Sequence, residues 1–529
     1  MTTRSLRELT AGLGAVPAPS DVSVSDVTLD SRSVSPGALF LACRGGKHHG
    51  LEFAQQAVTR GARAVLYEAD APTGAHTGDV GGAANDGGAC GAATDGGVGS
   101  AAAGAIARAP DFGSDIFVAR VPHLSRHVGT IADRFFGSPA QALTVAGITG
   151  TNGKTTCAWL LAQALQICHR RAAFMGTLGF GVPPDLIPTE HTTSDAVGIH
   201  RQFAALRQLG AECVSMEVSS HAIEQHRVAA VRFETAAFTN LTRDHLDYHG
   251  TMEAYGATKA RLFAWPNLAH RVINVDDPFG AQLAAQSSAA RLVMTGRRAF
   301  GGAGARTEFV AARNVSRESS GLRIAVETSW GSGDLAVPLI GDFNVDNVLT
   351  VLAVLLAWDV PLPQAIAALG TCKPPSGRME TFGGTGGLPL GIVDYAHTPD
   401  GLSKALTAAR AHCRGRLRVV FGCGGDRDPG KRPMMGHIAS EMADESILTD
   451  DNPRTEDPAK IVADILAGFP GPVLPLVEHD RALAIRTALQ RSAAQDVVVV
   501  AGKGHEDYQI YGTVRRPFSD QAVLRSVLG

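Results

Sequence analysis

The sequence predicts an α/β protein of about three domains built on parallel sheets with helices on both faces. Three observations predict it. The chain has 529 residues, and roughly 150 residues per domain makes about three. From Leu143 onward, short apolar runs alternate with helical patterns, the mark of strands joined by crossover helices. One strand-to-helix junction carries the loop Gly150-Thr151-Asn152-Gly153-Lys154-Thr155-Thr156, which a central P-loop ATPase-type sheet uses to cradle phosphates.

Composition narrows the class further. Hydrophobic residues make up 45% and charged residues 19%, enough apolar material for sizeable cores. A net charge of -3 supplies no basic field for nucleic acid and no polybasic membrane anchor. The segment Met1–Thr10 carries Arg4, Arg7 and Glu8 and is not expected to be a signal peptide. The longest apolar candidate, Val348 to Trp358, is too short for a membrane span, so no membrane insertion is expected. The eight cysteines form no C-x-x-C pair and are expected as reduced thiols, which places the protein in the cytoplasm.

Along the chain, residues 1–139 are expected as a smaller α/β domain with an insertion at about 70–115. Within it, residues 73–105 hold 21 Gly or Ala out of 33 and no aromatic residue. Such a stretch buries too little apolar surface to offset its ordering entropy and is expected to be disordered. The first boundary falls near Ser138-Pro139-Ala140. In the second domain, 140–372, strands are expected at Thr144–Ile148, Cys213–Glu217, Thr235–Phe238 and Val272–Val275, and helices at Lys154–Cys168 and Phe343–Trp358. The Pro/Gly-rich segment Gly370–Glu380 closes it. In the third domain, 373–529, strands are expected at Gly391–Tyr395, Leu417–Phe421, Ser446–Thr449 and Val497–Val500. Helices follow at Leu402–His412, Arg432–Ala443 and Ala459–Ala467.

The loop's context makes it a phosphate site. A buried strand precedes it and an apolar helix follows, so backbone N–H groups and a helix N-terminus face one anion. Lys154 can reach the β- and γ-phosphates, and the Thr155 hydroxyl can join a Mg²⁺ ion. Ile148 stands where the strict G-x-x-x-x-G-K-[ST] pattern has its first glycine. Downstream, Glu217 ends an apolar strand in Met216-Glu217-Val218-Ser219-Ser220-His221. His245 lies after the next strand, and Lys259 lies on an expected helix. Ligands gather at the carboxyl ends of such strands, which positions Glu217 and His245 to meet the phosphates through Mg²⁺. Alone, each would more often be a cap or a surface group; with the loop they make a metal site.

These motifs resemble the Mur ligase family over nearly the whole chain. Gly150–Thr156, Glu217–His221, Asn240–Gly250 and Lys259 look like its central motifs. Leu29-Asp30-Ser31-Arg32 looks like its uridine-binding segment. Gly377–Glu380, Asp394–Pro399 and Gly422–Pro433 look like its C-terminal motifs. The resemblance implies a uridine-nucleotide domain, an ATPase domain and a Rossmann-like C-terminal domain that carries the incoming amino acid. It implies ATP contacts from Gly150 to Thr156 and at Asn347, Arg378 and Asp394. It implies that Leu29, Ser31, Thr192, Thr193, Ser219, Gln225 and Arg227 hold a UDP-N-acetylmuramoyl-dipeptide. In this family the carboxylate of that substrate becomes an acyl phosphate at the expense of ATP, and an amine then displaces phosphate. The lysine matching Lys259 carries a CO₂-derived carbamate there. An ordinary ammonium offers Mg²⁺ no acceptor, whereas a carbamate offers two oxygens. The implied catalytic set is Lys154, Glu217, His245 and Lys259, and the implied metal set is Thr155, Glu217, His245 and carbamylated Lys259. A monomer is expected.

The segment Asp451-Asn452-Pro453-Arg454 resembles the signature of family members that add meso-diaminopimelate. That amino acid has a second centre with its own carboxylate, which a guanidinium binds bidentately. L-Lysine would leave a buried Arg454 unpaired, at a cost of about several kcal/mol. Arg427, Gly502 and Glu506 match the other amino-acid positions, and Glu506 can hold the distal ammonium. Rival readings are an L-lysine-adding relative, a folylpolyglutamate synthase-like ligase, and a P-loop kinase or nucleotide-binding regulator. A folate ligase is not expected to carry Asp451–Arg454 with Gly502–Glu506, and a kinase needs no domain for an amine.

Overall fold

A computed structural model describes residues 3–13, 22–45, 48–69, 112, 115–298, 307–318, 321–471 and 474–529. The Gly/Ala insertion expected at residues 73–105 lies outside them. The chain divides into two compact units: Met1–Pro139 with Asp195–Ala204 and Gln225–Val231, and the remainder from Ala140 to Gly529.

The first unit is built on a four-stranded parallel sheet in the order Asp26–Thr28, Ala38–Ala42, Ala64–Ala69, Phe117–Pro122. Successive side chains of a strand point to opposite faces. Leu39 and Leu41 therefore join one core with Leu124, Val128 and Ile131 of the helix Leu124–Phe135. Ala38, Phe40 and Ala42 join another with Ala54 and Ala57 of the helix Ala54–Thr59.

The second unit holds an 11-stranded sheet and a 6-stranded sheet. In the larger one, the strands Ala172–Gly176, Cys213–Glu217, Thr144–Thr149, Thr235–Phe238, His270–Asn274, Arg291–Gly296 and Thr307–Glu318 run parallel in that spatial order. Antiparallel strands finish both edges. The helices Lys154–Ile167 and Phe343–Ala357 pack into one core with Ala146, Ile148, Phe174 and Val272. The second helix is apolar nearly all round, as a helix buried on every side must be.

The smaller sheet orders Glu380–Gly383, Leu390–Asp394, Val497–Ala501, Leu417–Phe421, Glu445–Leu448 and Leu476–Val477, all parallel except the first. Its central strands read as near-continuous apolar runs because both faces are covered. Ile392, Val419 and Val499 face the helices Pro399–Arg410, Lys431–Met442 and Pro458–Leu466. Val393, Val420 and Val500 face Arg481–Gln490 and Asp520–Leu528. The expected strands and helices of both sheets form, with ends shifted by a few residues: the strand expected at Val272–Val275 begins at His270. The helix expected at Leu402 starts at Pro399, where the Thr398 hydroxyl accepts the Gly401 N–H. Among the described residues, no helix is long and apolar enough to cross a membrane, and the described cysteines are free thiols.

Candidate active site

The strand Thr144–Thr149 delivers the chain into the loop, and the helix begins at Lys154. Gly150 has φ +148 and Gly153 has φ +86. A Cβ at Gly150 would lie 1.9 Å from the Thr239 hydroxyl, and one at Gly153 would lie 2.2 Å from Asn347 Oδ1. Both positions therefore exclude a side chain by space as well as by conformation. Neighbouring strand ends hold the loop open. The Thr239 hydroxyl donates to Asn152 O at 2.6 Å, the Asn152 N–H donates to Asn240 Oδ1 at 3.0 Å, and the Thr242 N–H donates to the Thr151 hydroxyl at 3.0 Å. Backbone positions around an anion are thus fixed before any ligand arrives.

Lys154 curls over the loop and donates to Gly150 O at 3.0 Å and Thr151 O at 2.8 Å. Burial pulls its ammonium below the usual lysine range, and the Glu217 charge opposes that shift. Glu217, at the end of its strand, is 1% exposed. Its carboxylate accepts the Thr155 hydroxyl at 2.9 Å and the Thr177 N–H at 2.8 Å. Burial raises its pKa, and Lys154 chiefly offsets this. Lys259, on the helix Met252–Ala260, is also 1% exposed. It donates to Gly150 O at 2.8 Å and lies 4.5 Å from the Tyr255 ring centre. Burial, reinforced by the nearby Lys154 charge, holds its amine well below the usual lysine value.

His245 has φ +53. Its ring packs edge-on against His221 at 4.9 Å, and its Nε2 lies 3.5 Å from Asp244 Oδ2. Among the described residues, no three His, Cys, Asp or Glu side chains form a ready metal cluster. Lys154, Thr155, Glu217 and Lys259 are gathered directly at the loop, and His245 stands in an adjoining cluster of rings. Asn347, on the helix Phe343–Ala357, faces Gly153 and donates to Asn344 Oδ1 at 2.8 Å. Arg378 stacks its guanidinium 4.7 Å from the Tyr395 ring, and its charge is felt at both Lys154 and Glu217. Asp394 accepts the Met379 and Ala396 N–H groups at 2.9 Å each.

The expected dipeptide residues fall in both units. In the first, the Ser31 hydroxyl donates to Gln56 Oε1 at 2.6 Å, Leu29 lies beside the core, and Arg227 donates to Gln225 Oε1 at 2.9 Å. In the second, the Thr193 hydroxyl donates to Glu217 O at 2.9 Å, Thr192 accepts the Thr177 hydroxyl, and the Ser219 hydroxyl accepts the Ala222 N–H.

The amino-acid residues assemble at the carboxyl ends of the smaller sheet. Lys503, fully buried, donates to Glu506 Oε2 at 3.0 Å, to Asn452 Oδ1 at 3.2 Å and to Asp451 Oδ1 at 3.5 Å. Asn452 Nδ2 also donates to Glu506 at 2.8 Å. Glu506 thus already faces one ammonium. Gly502 leaves room beside the Asp451 carboxylate. Arg454 has φ +54 and donates to Gly425 O at 2.7 Å, while Arg427 lies exposed, with both side chains close to Gly424. Pro453 packs its carbonyl on Gly425.

Sequence reasoning missed Gly176, Thr177, Tyr255 and Lys503. Gly176-Thr177 follows an apolar run, and that strand-end position is the one signal that could have found it. Lys503 sits within a motif already singled out, yet nothing local says its ammonium turns inward.

Comparisons with known proteins bear on the family and the fold. The Mur ligase middle domain model matches residues 148–355, the Mur ligase glutamate ligase domain model matches 377–504, and the Mur ligase family catalytic domain model matches 23–87. A UDP-N-acetylmuramoyl-L-alanyl-D-glutamate--2,6-diaminopimelate ligase of Ectopseudomonas mendocina is 46% identical over 95% of this chain and 94% of its own. The Pseudomonas aeruginosa protein of the same name is 43% identical over 94% of each chain. A solved structure bearing that name aligns with TM-score 0.66 at 31% identity, covering 100% of this chain and 99% of the other. A Mycobacterium tuberculosis folylpolyglutamate synthase shares the fold at TM-score 0.57 and 19% identity, over 71% of this chain and 92% of its own. The chain belongs to the Mur ligase family.

Proposed function

We propose that this protein is an ATP-dependent ligase of peptidoglycan biosynthesis. It joins meso-diaminopimelate to the D-Glu side-chain carboxylate of UDP-N-acetylmuramoyl-L-alanyl-D-glutamate, giving the tripeptide, ADP and phosphate. The observation that carries it is the meeting of Lys154, Thr155, Glu217 and Lys259 at the phosphate loop of a chain that also carries Asp451–Arg454.

A carboxylate is a poor acyl donor, and two anions must meet before ATP can activate it. Lys154 and the loop N–H groups hold the phosphates and neutralise charge as the γ-phosphoryl group passes to the carboxylate oxygen. The amine of diaminopimelate then attacks the acyl carbon. The new C–N bond forms, phosphate leaves with the C–O electron pair, and the amine gives up a proton. Arg454 holds the distal carboxylate of diaminopimelate, Glu506 its distal ammonium, and Arg427 and Asn452 flank them. Leu29, Ser31, Thr192, Thr193, Ser219, Gln225 and Arg227 hold the muramoyl-dipeptide, and Asn347, Arg378 and Asp394 hold the nucleotide.

The oxygen donors at the loop suit a hard divalent cation. The Thr155 hydroxyl and Glu217 carboxylate already lie 2.9 Å apart. When bound, Mg²⁺ supplies positive charge to the β- and γ-phosphate oxygens, and Thr155, Glu217, His245 and carbamylated Lys259 would hold it. An amine in its neutral form can attack CO₂, forming an N–C bond and releasing a proton. Lys259 is buried and of depressed basicity, which supports its carbamylation. The setting proposed is a monomeric enzyme in the cytoplasm.

An amino-acid panel with the muramoyl-dipeptide and ATP tests the reading. New amide with meso-diaminopimelate and little with L-lysine is expected. Preference for lysine, a folate acceptor, or a stable phosphorylated product without amide would overturn it.

A further inference from the structure

The hairpin Tyr508–Tyr511 and Val514–Pro517 is a separate two-stranded sheet. An isolated hairpin is marginal in water, and this one is tied to the turn Asp450–Arg454. The Arg454 N–H donates to Ile510 O at 3.0 Å, and the Gly512 N–H donates back to Arg454 O at 2.6 Å. The Ile510 N–H donates to Asn452 Oδ1 at 3.0 Å, and the Tyr511 hydroxyl donates to Asp450 Oδ2 at 3.0 Å. His479 holds the other Asp450 oxygen at 2.7 Å. Gln509 lies beneath, 8% exposed, with Nε2 donating to Asp450 O at 3.2 Å and Asp451 O at 3.1 Å. Both of those partners are carbonyls, which only accept, so the amide nitrogen must face the turn.

These bonds fall on the residue whose backbone is hardest to hold. Arg454 is not glycine, yet it has φ +54, a conformation that costs an ordinary residue about 1 kcal/mol or more. Its N–H and C=O are both taken by the hairpin, and its guanidinium reaches Gly425 O from the opposite side. The backbone from which that guanidinium extends is therefore held by the hairpin.

We infer that Gln509 is a positioning residue for amino-acid selection: it fixes the turn so that Arg454 points at the distal carboxylate of the incoming amino acid. This rests on the proposed function. The hairpin never touches the substrate in this role; it acts through Arg454.

The test uses the full-length enzyme with the muramoyl-dipeptide, ATP and meso-diaminopimelate. Gln509→Ala is expected to raise the KM for diaminopimelate about tenfold, the size of losing one or two buried hydrogen bonds, with the KM for ATP unchanged. Placed on Arg454→Ala, Gln509→Ala should add nothing further, because both changes remove the same interaction. Tyr511→Phe, which removes only the bond to Asp450, should show the same pattern at about threefold and serves if Gln509→Ala fails to fold. Equal effects on ATP and diaminopimelate, full additivity with Arg454→Ala, or a KM for diaminopimelate within twofold in both variants would each overturn the inference. A wild-type enzyme that does not use diaminopimelate would instead sink the function proposed above.

Discussion

Replacing Gly176 with alanine should disable the phosphate site while leaving the protein folded. Gly176 ends the strand Ala172–Gly176, beside Glu217 on the neighbouring strand. A Cβ there would lie 2.2 Å from Glu217 Oε1 and 2.7 Å from its Cγ and Cδ. The ladder pairs Met175 with Met216 and Gly176 with Gly179, so the backbone has little room to retreat. Glu217 must rotate away, losing the Thr177 N–H at 2.8 Å and the Thr155 hydroxyl at 2.9 Å. Hydrogen bonds to an ionised group contribute about 1.5–3 kcal/mol each. Losing about 3 kcal/mol from the transition state lowers kcat/KM about 10²-fold. The assay is ADP release dependent on both dipeptide and amine, run beside thermal unfolding. Glu217→Asp in the Gly176→Ala background shortens the displaced side chain and should recover part of the loss, although alone it should only harm. A kcat/KM for Gly176→Ala within threefold of wild type would refute the reasoning, and so would strict additivity of the two changes.

Lys259→Ala should lose activity by about 10²-fold or more, as removal of one charge-stabilising group does, and short carboxylates added to the buffer should restore part of it. Full activity without them would end the carbamate proposal. Arg454→Ala should raise the KM for diaminopimelate about 10–100-fold, the size of a charge-assisted pair, and leave that for ATP in place; equal changes in both would contradict it. Stability should fall on the acid side partly through Arg418. Its guanidinium, hydrogen-bonded to Glu445 at 2.9 Å, holds that carboxyl below its usual range. Burial pushes the Asp496 carboxyl up, but the Arg416 and Ala493 N–H groups and Arg418 more than offset it. Depressed carboxylates stabilise the fold above their ordinary range and lose that contribution as pH falls through it, between roughly pH 5 and 3 or below. Arg418→Leu should therefore flatten the acid limb of a urea-denaturation series; an unchanged limb would argue against it.

Much of this protein is written in local pattern. The loop Gly150–Thr156 is legible because strand, glycines, lysine and helix must follow one another within a few residues for an anion to be cradled. The strands of both sheets are legible because apolar runs buried on two faces leave no polar alternation, as Val497–Ala501 shows. The motif residues Glu217, Lys259 and Arg454 are legible by their order along the chain. What no local pattern contains is which of them meet. Thr155 and Glu217 are 62 residues apart and share a hydrogen bond only because the strand Cys213–Glu217 lies beside Thr144–Thr149, the strand that leads into the helix of Thr155. Gly176 matters only because Glu217 points across it. Lys259 differs from any helix lysine only through burial against Gly150 and Tyr255. The strained backbone of Arg454 is held by a hairpin more than 50 residues later, through bonds to Ile510 and Gly512. The sequence alone determined the chemistry's parts and their order, because propensity and periodicity act over short range. The tertiary structure decided their distances, burial and ionisation, because those depend on groups brought together from far along the chain.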